Sequence, residues 1–362
     1  MSKRSLGVRV RKTLAQKTIT LVDELGLSSG KLKIKRVKDF VYVPLARRPS
    51  KPELEQLLSQ ASGATVSTYI FQEKPKRATS LADVLKGKLA PRFMASLPHS
   101  SDIVGKIAVV EVPPELRPFR TILGDAILKM NKNVRTILAK RGAVSGTYRL
   151  REMEVIAGKP DTTTIHREHG CQYYVDLAKA YFSPRLSFEH HRVASQVREG
   201  ETVLDMFAGV GPFVIQIAKT LKNVRVYAVD ANAYAVEYLK KNIRVNRVNG
   251  KVIPILGNSD EVVERELLGR VDRVIMNLPG QASQFVCAAC HALKPRGGII
   301  HFYGFLKAPD TLQTVQAGFV QAVEQCRRKV KRISHSRLVR ATAPYEWQFV
   351  IDAWVSGASP SE

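Results

Sequence analysis

A chain of 362 residues with 44% hydrophobic content is long enough for two or three domains with sizeable cores. No apolar run approaches the roughly 20 residues that a membrane-spanning helix needs, so the composition argues against a membrane partner. Fifty-seven Lys and Arg against 32 Asp and Glu leave a net charge of +25, more than solubility asks for, and point to a polyanionic partner, most simply nucleic acid.

The charge is unevenly spread. Residues 1–50 hold 13 basic and three acidic side chains, +10 of the +25. A solvated lysine-rich surface is the bland explanation. The first 22 residues lack acids, as a transit peptide does, but Lys31–Leu45 reads as two strands of a folded module. Four cysteines do not make a disulfide framework. Cys287-x-x-Cys290 has metal or redox spacing, yet no second such pair exists. It lies in an Ala-rich helical pattern, where reduced, buried core thiols are expected, as in a cytoplasmic protein.

In chain order, residues 1–72 read as a small basic unit. A helix is expected at Leu14–Leu25, a hairpin from Lys31–Lys35 and Phe40–Pro44, a helix at Pro52–Ala61 and a strand at Val66–Phe71. Residues 73–100 are rich in Lys, Pro and Ser and look like a linker with a short helix near Ser80–Gly87. Residues 101–182 read as an α+β module. Its strands are Val104–Val112, Val134–Leu138 and Tyr148–Ile156, its helix is Pro118–Met130, and a hairpin turns at Gly170. From 183 to 362 strands and helices alternate: strands at Thr202–Met206, Arg225–Asp230, Lys251–Leu256, Arg273–Asn277 and Gly298–Tyr303, each followed by a helix. Two terminal strands, Val330–Leu338 and Glu346–Val355, complete a class I, Rossmann-like α/β methyltransferase pattern.

Asp205-Met-Phe-Ala-Gly-Val-Gly-Pro-Phe213 opens the first ligand loop of such a sheet. Gly209 and Gly211 let backbone approach a ligand, and the next helix offers its N-terminal amides. An acid before the glycines would repel a pyrophosphate but accepts from an amino group, which favours S-adenosylmethionine over a dinucleotide. Asp230 ends the second strand, where a carboxylate takes ribose hydroxyls or is a helix N-cap before Ala231. Asn258 and Ser259 end the third strand, and the Asn258 amide or Asp260 is placed to accept from adenine. Asn277-Leu278-Pro279-Gly280 ends the fourth. There an Asn/Asp-Pro-Pro-aromatic motif would serve exocyclic amines, with the aromatic ring stacking on a flipped base. Leu278 and Gly280 depart from it, so ordinary amine methylation is disfavoured. Tyr181–Arg192 brings Arg185, Glu189, His190 and Arg192 beside the pocket, or else starts a polar helix.

Ser183-Pro-Arg-Leu-x-x-Glu-His, Asp205–Phe213 and Asn277-Leu-Pro together resemble the archaeal and eukaryotic tRNA (guanine-37 N1)-methyltransferases. So do Lys33–Pro44, Leu85–Pro91, Ser101–Glu111 and Gly146-Thr-Tyr-Arg149, so the resemblance covers nearly the whole chain. It implies an N-terminal domain docking on the tRNA elbow, a middle RNA-binding domain and a catalytic domain reaching the anticodon loop. Guanine N1 carries a proton, so methylation needs a base for that proton and a cation for O6. The resemblance makes Glu189 the base and Arg149 the cation. Asn277 and Pro279 would shape the pocket for the base. Phe182, Arg185, His190, Asp205, Gly209, Gly211, Asp230, Ala231, Asn258, Ser259 and Asn277 would hold the cofactor, and no metal is called for. A monomer is expected. The rivals are an aminocarboxypropyl transferase of the wybutosine pathway, a relative that also methylates the wyosine precursor, and a non-catalytic tRNA-binding protein.

Overall fold

The computed structural model describes residues 2–74, 80–98, 100–145 and 150–357. Contacts divide the chain into two compact units, Met1–Thr79 and Ser80–Glu362.

The first unit runs β1 (Ser2–Arg11), α1 (Ala15–Glu24), β2 (Lys35–Val37), β3 (Phe40–Pro44), α2 (Lys51–Gln60) and β4 (Thr65–Gln72). Its antiparallel sheet has the order β2-β3-β1-β4. Val8 and Val10 of β1 pack with Leu21, Val22, Val41, Val43 and Leu57 in one core. The hairpin strand begins at Lys35, not Lys31. Residues before it run along the end of β4 instead: Lys33 N–H donates to Gln72 O (2.8 Å) and Lys74 N–H to Lys31 O (2.8 Å). Helix α2 starts where Glu53 turns back to accept from Ser50 N–H (2.7 Å), which satisfies an otherwise unpaired donor at the helix start.

The second unit opens with α3 (Leu81–Leu85). Leu85, Leu89 and Leu97 are buried with Leu116, Leu123 and Ile137. From Ser80 on, the stretch expected as a linker is therefore part of a core. The elements β5 (Asp102–Val104), β6 (Ile107–Val110), α4 (Arg120–Met130), β7 (Thr136–Ser145) and β8 (Leu150–Gly158) follow. They form a sheet of order β5-β6-β7-β8, with β6 and β7 parallel. A hairpin, β9 (Thr163–Glu168) and β10 (Cys171–Asp176), comes next. Asn242 and Asn246 receive the hairpin's Tyr174 and Gln172 N–H groups (2.7 and 2.9 Å). Tyr173 and Val175 share a core with Phe213 and Leu239.

The remainder is α5 (Ser187–Gln196), β11 (Thr202–Asp205), α6 (Pro212–Thr220), β12 (Arg225–Asp230), α7 (Ala233–Val245), β13 (Val252–Leu256), α8 (Ser259–Val262), β14 (Arg273–Met276), α9 (Val286–Ala292), β15 (Gly297–Lys307), α10 (Leu312–Gln325), β16 (Val330–Ala343) and β17 (Glu346–Ser356). The seven-stranded sheet has the order β13-β12-β11-β14-β15-β17-β16. β11 to β15 are parallel, whereas β17 runs antiparallel between β15 and β16. The order reverses beside β11, the switch point at which open α/β sheets leave a crevice for ligands.

One cysteine expectation is corrected. Cys287 of α9 is bonded to Cys326 at the end of α10, with Cα atoms 5.2 Å apart. The two lie 39 residues apart, so spacing within Cys287-x-x-Cys290 could not show the pair. Cys171 and Cys290 are free and buried. No helix among the described residues is long and apolar enough to cross a membrane.

Candidate active site

The strand ends converge on a small cavity of about 50 Å³ lined by Tyr181, Phe182, Ser183, Leu186, His190, Phe207, Ala208, Gly209, Pro212, Phe213 and Asn277. Gly209 (φ 54°) and Gly211 (φ 95°) take left-handed backbone that other residues strongly disfavour. A Cβ on Gly211 would stand 2.5 Å from Leu239 Cδ1 and force that side chain to shift, and φ 95° itself disfavours any other residue there.

Two carboxylates shape that turn. Asp205 Oδ1 accepts from Phe207 N–H (3.1 Å), while its buried Oδ2 has no hydrogen-bond partner. Burial lifts the Asp205 carboxyl to about 7, with the Phe207 N–H opposing and nearby Asp230 adding to the rise. Asp230 accepts from Gly209 N–H (2.7 Å) and Asn232 N–H (2.8 Å). Burial raises it too, against those two bonds. Asn232 in turn accepts from Tyr234 N–H (3.0 Å), capping α7 next to Ala231. A buried, unpaired carboxylate oxygen and a glycine turn beside the cavity suit a cofactor with a cationic amino group.

His190 reaches the cavity from α5 and is fixed from behind. Its Nδ1 lies 2.6 Å from Glu168 Oε1, and its ring stands edge-on to Phe213 at 4.6 Å. Burial would push the Glu168 carboxyl up, but His166, whose Nε2 stands 3.6 Å from Oε2, and the His190 hydrogen bond outweigh it and hold it at about 2. Phe182 lies under the same cavity, 5.0 Å from His166. Asn277 Oδ1 accepts from Gln348 Nε2 (3.3 Å), and Gln348 Oε1 accepts from Arg340 Nε (2.9 Å).

Glu189 is 1% exposed. Its Oε2 accepts from Arg192 Nε and Nη2 (3.0 and 2.9 Å) and from the Tyr303 hydroxyl (2.8 Å). Its Oε1 accepts from Arg337 Nη2. Burial would raise this carboxyl, but the Arg192 and Arg337 hydrogen bonds prevail and hold it below the usual range. Sheet register explains the arrangement. Tyr303 of β15 and Arg337 of β16 both pair with Val350 of β17, so they share one face two strands apart, about 10 Å. Glu189 bridges the row. Behind it, Arg192 also binds Asp352, whose Oδ1 lies 2.7 Å from His301 Nδ1. Arg273 Nη1 lies 2.8 Å from His301 Nε2, so that nitrogen accepts and the imidazole is neutral. Burial also lowers His301.

Of the residues singled out from sequence, the structure gathers Phe182, His190, Gly209 and Asn277 at the cavity. Asp205, Gly211 and Asp230 support its turn. Pro279 is half-buried just beyond Asn277, and Ala231 half-buried after Asp230. Ser259 is buried and donates to Met206 O. Asn258 is exposed and donates to Glu261 (3.3 Å), and Asp260 is exposed beside it. Arg185 is exposed and pairs with Asp102 of β5 (2.5 Å). Arg149 lies outside the described residues. Sequence reasoning missed Tyr303, Arg337, Asp352 and Gln348. Arg337 carried no sequence signal, because the register of β16 shifts at bulges.

In the first unit, Arg4, Lys35, Tyr42, Thr68, Tyr69 and Ile70 line an open cavity of about 540 Å³. The Tyr42 and Tyr69 rings meet edge-on at 4.9 Å, with the Lys35 ammonium 5.6 Å over Tyr42. Cations beside aromatic rings suit an RNA surface.

Residues 164–334 match the TRM5/TYW2 methyltransferase domain, and residues 81–162 the TYW2 N-terminal domain. The chain is 38% identical over 333 residues to tRNA (guanine(37)-N(1))-methyltransferase Trm5b of Pyrococcus abyssi, covering 92% of this chain and 94% of that one. The crystal structure of that Trm5b superimposes with a TM-score of 0.77, at 36% identity over 97% and 99% of the two chains. A complex of aTrm5 with tRNALeu gives a TM-score of 0.73, at 29% identity over 96% and 99%. A 32% match spans 69% of this chain and 92% of tRNA 4-demethylwyosine(37)-methyltransferase Taw21 of Saccharolobus solfataricus.

Proposed function

The chain belongs to the TRM5/TYW2 methyltransferase family, and on that premise we propose that it methylates N1 of guanosine 37 in tRNA with S-adenosylmethionine. The observation that carries the reading is Glu189, a buried carboxylate beside the strand-end cavity, in a chain so similar to a named enzyme of this activity. S-adenosylmethionine supplies an electrophilic methyl group on a sulfonium, so the reaction asks no metal of the protein.

The protein's own groups supply the rest. The N1–H bond of guanine breaks towards Glu189, and the electron pair stays on the ring for N1 to take the methyl. Arg149, by family resemblance, steadies the charge on O6. Asn277 and Pro279 wall the base, with Gln348 fixing the Asn277 amide so that its nitrogen faces away from that bond. Asp205 receives the cofactor's amino group, Asp230 its ribose, and Asn258 or Asp260 its adenine. Gly209 and Gly211 admit it, and Phe182, Arg185, His190, Ala231 and Ser259 line or support the site. The basic, aromatic face of the first unit supports docking on the tRNA elbow, and a monomer working in the cytoplasm meets the substrate with one chain.

One observation favours a second target at the same position. Gly280 is exposed and adds no side chain to the pocket wall, leaving width for a tricyclic wyosine precursor such as Taw21 is named for. The test is incubation with S-adenosylmethionine and unmodified tRNA, then digestion to nucleosides. N1-methylguanosine is expected, falling about 10²–10⁴-fold in Glu189→Gln. An aminocarboxypropyl product, or tRNA binding with no product, overturns the reading.

A further inference from the structure

The two oxygens of Glu189 are held differently. Oε2 takes three donors from Arg192 and Tyr303, whose side chains lie deep in the fold. Oε1 takes Arg337. The Arg337 side chain is 37% exposed, against 11% for Arg192 and 1% for Glu189. Its guanidinium carbon rests 4.7 Å above the ring of Phe188, itself 61% exposed. Its Nε is buried and has no hydrogen-bond acceptor. Arg337 is therefore the outermost and least satisfied partner of the carboxylate.

A base must come within about 2.6–3.2 Å of the proton it removes. Oε2 already takes three donors, which leaves Oε1 for an incoming N1–H, and the most exposed group on Oε1 is Arg337. We infer that Arg337 is a latch on the catalytic carboxylate: it holds the place of the substrate's N1–H on Glu189 Oε1, rests on Phe188, and is displaced when the target base enters. The inference rests on Glu189 being the base.

Displacement also tunes the base. The charged and titratable groups around Glu189 are Arg192 and His190 on α5, Tyr303 and His301 on β15, Arg337 on β16 and Asp352 on β17, with Glu168 and His166 of β9 behind His190. Among the described partners of Glu189, Arg337 is the most exposed, and its departure gives up a single hydrogen bond to the carboxylate. Its departure removes one cation from the carboxylate, which raises its affinity for a proton as the N1–H arrives.

The test is the pH dependence of methyl transfer by the full chain, read as kcat/KM at limiting tRNA and as kcat at saturating tRNA. Limiting tRNA reports the free enzyme, with the latch closed. Saturating tRNA reports the complex, with the latch open. In Arg337→Gln the acid limb at limiting tRNA should move up by roughly 1 pH unit, a tenfold change along the limb. The limb at saturating tRNA should stay with the wild type. Arg337→Lys keeps a cation in reach and should hold both limbs in place. If both limbs move together in Arg337→Gln, the arginine stays on the base in the complex and the latch is wrong. If neither moves, Arg337 does not act on Glu189, and the inference also fails. Full activity in Glu189→Gln would remove Glu189 as the base and the latch with it, whereas a wild-type chain that makes no N1-methylguanosine would overturn the proposed function.

Discussion

Replacing Asp205 with Asn tests the electrostatics of the glycine turn. Asp205 is 1% exposed, and burial lifts its carboxyl to about 7 from the ordinary 3.8. Three units at about 1.36 kcal/mol each make about 4 kcal/mol, an order-of-magnitude figure. The folded chain binds this proton more tightly than the unfolded one. Its stabilising contribution is therefore complete below about pH 4 and is lost as the pH rises through about 7. Asn keeps an acceptor for Phe207 N–H but buries an unpaired amide, a cost of about 1–3 kcal/mol that does not change with pH. Comparing two pH values cancels that cost. Between pH 5 and pH 8 the variant should gain about 2.5 kcal/mol on the wild type. Both tryptophans, Trp347 and Trp354, lie on β17, so fluorescence during urea unfolding reports on the seven-stranded sheet. Parallel stability curves for the two proteins over this range would refute a raised Asp205.

Two further outcomes bear on the frame around the site. Reducing Cys287–Cys326, or replacing Cys287 with Ser, frees a loop of 39 residues and should cost about 2–4 kcal/mol, read as a lower melting temperature under reducing conditions. An unchanged melt would show that the bond does not constrain the protein in solution. Leu85→Ala removes a side chain with 0% exposure from the core around Leu116 and Leu123 and should cost about 2–5 kcal/mol in urea unfolding. A loss below about 1 kcal/mol would mean that residues 80–98 are not docked as described.

Local pattern made the seven-stranded sheet legible, because each of its parallel strands is a short apolar run closed by a turn residue and followed by a helical period. Asp205, Asp230 and Asn277 then stood at strand ends by counting alone. β1 escaped because Lys3, Arg4, Arg9 and Arg11 hide an inward alternation of Leu6, Val8 and Val10. The disulfide and the Glu189 cage escaped for another reason. Both join residues far apart in the chain, and the cage also depends on register. Pairing of β16 with β17 shifts at bulges between Leu338 and Arg340 and at three other places. Counting along β16 therefore cannot place Arg337 opposite Val350. That placement exists only once β17 has inserted between β15 and β16.

If Glu189 is the base, the cage also bears on how it selects its substrate. Held between two arginines, Glu189 resists protonation by solvent, so it is kept ionised but is a poor proton acceptor in the free protein. A neutral N1–H is a weaker partner for a carboxylate than a guanidinium is. The exchange at Oε1 is therefore uphill when considered alone. It must draw on binding energy from elsewhere, and the chain carries that reserve in its +25 net charge. On the latch proposal, a nucleobase that reaches the pocket without the rest of the RNA would not open the pair. An adenine that arrives with the RNA has no N1 proton to offer in place of Arg337. Selection then falls on the combination of a bound polyanion and a ring N–H donor, and a guanine at the site meets both conditions.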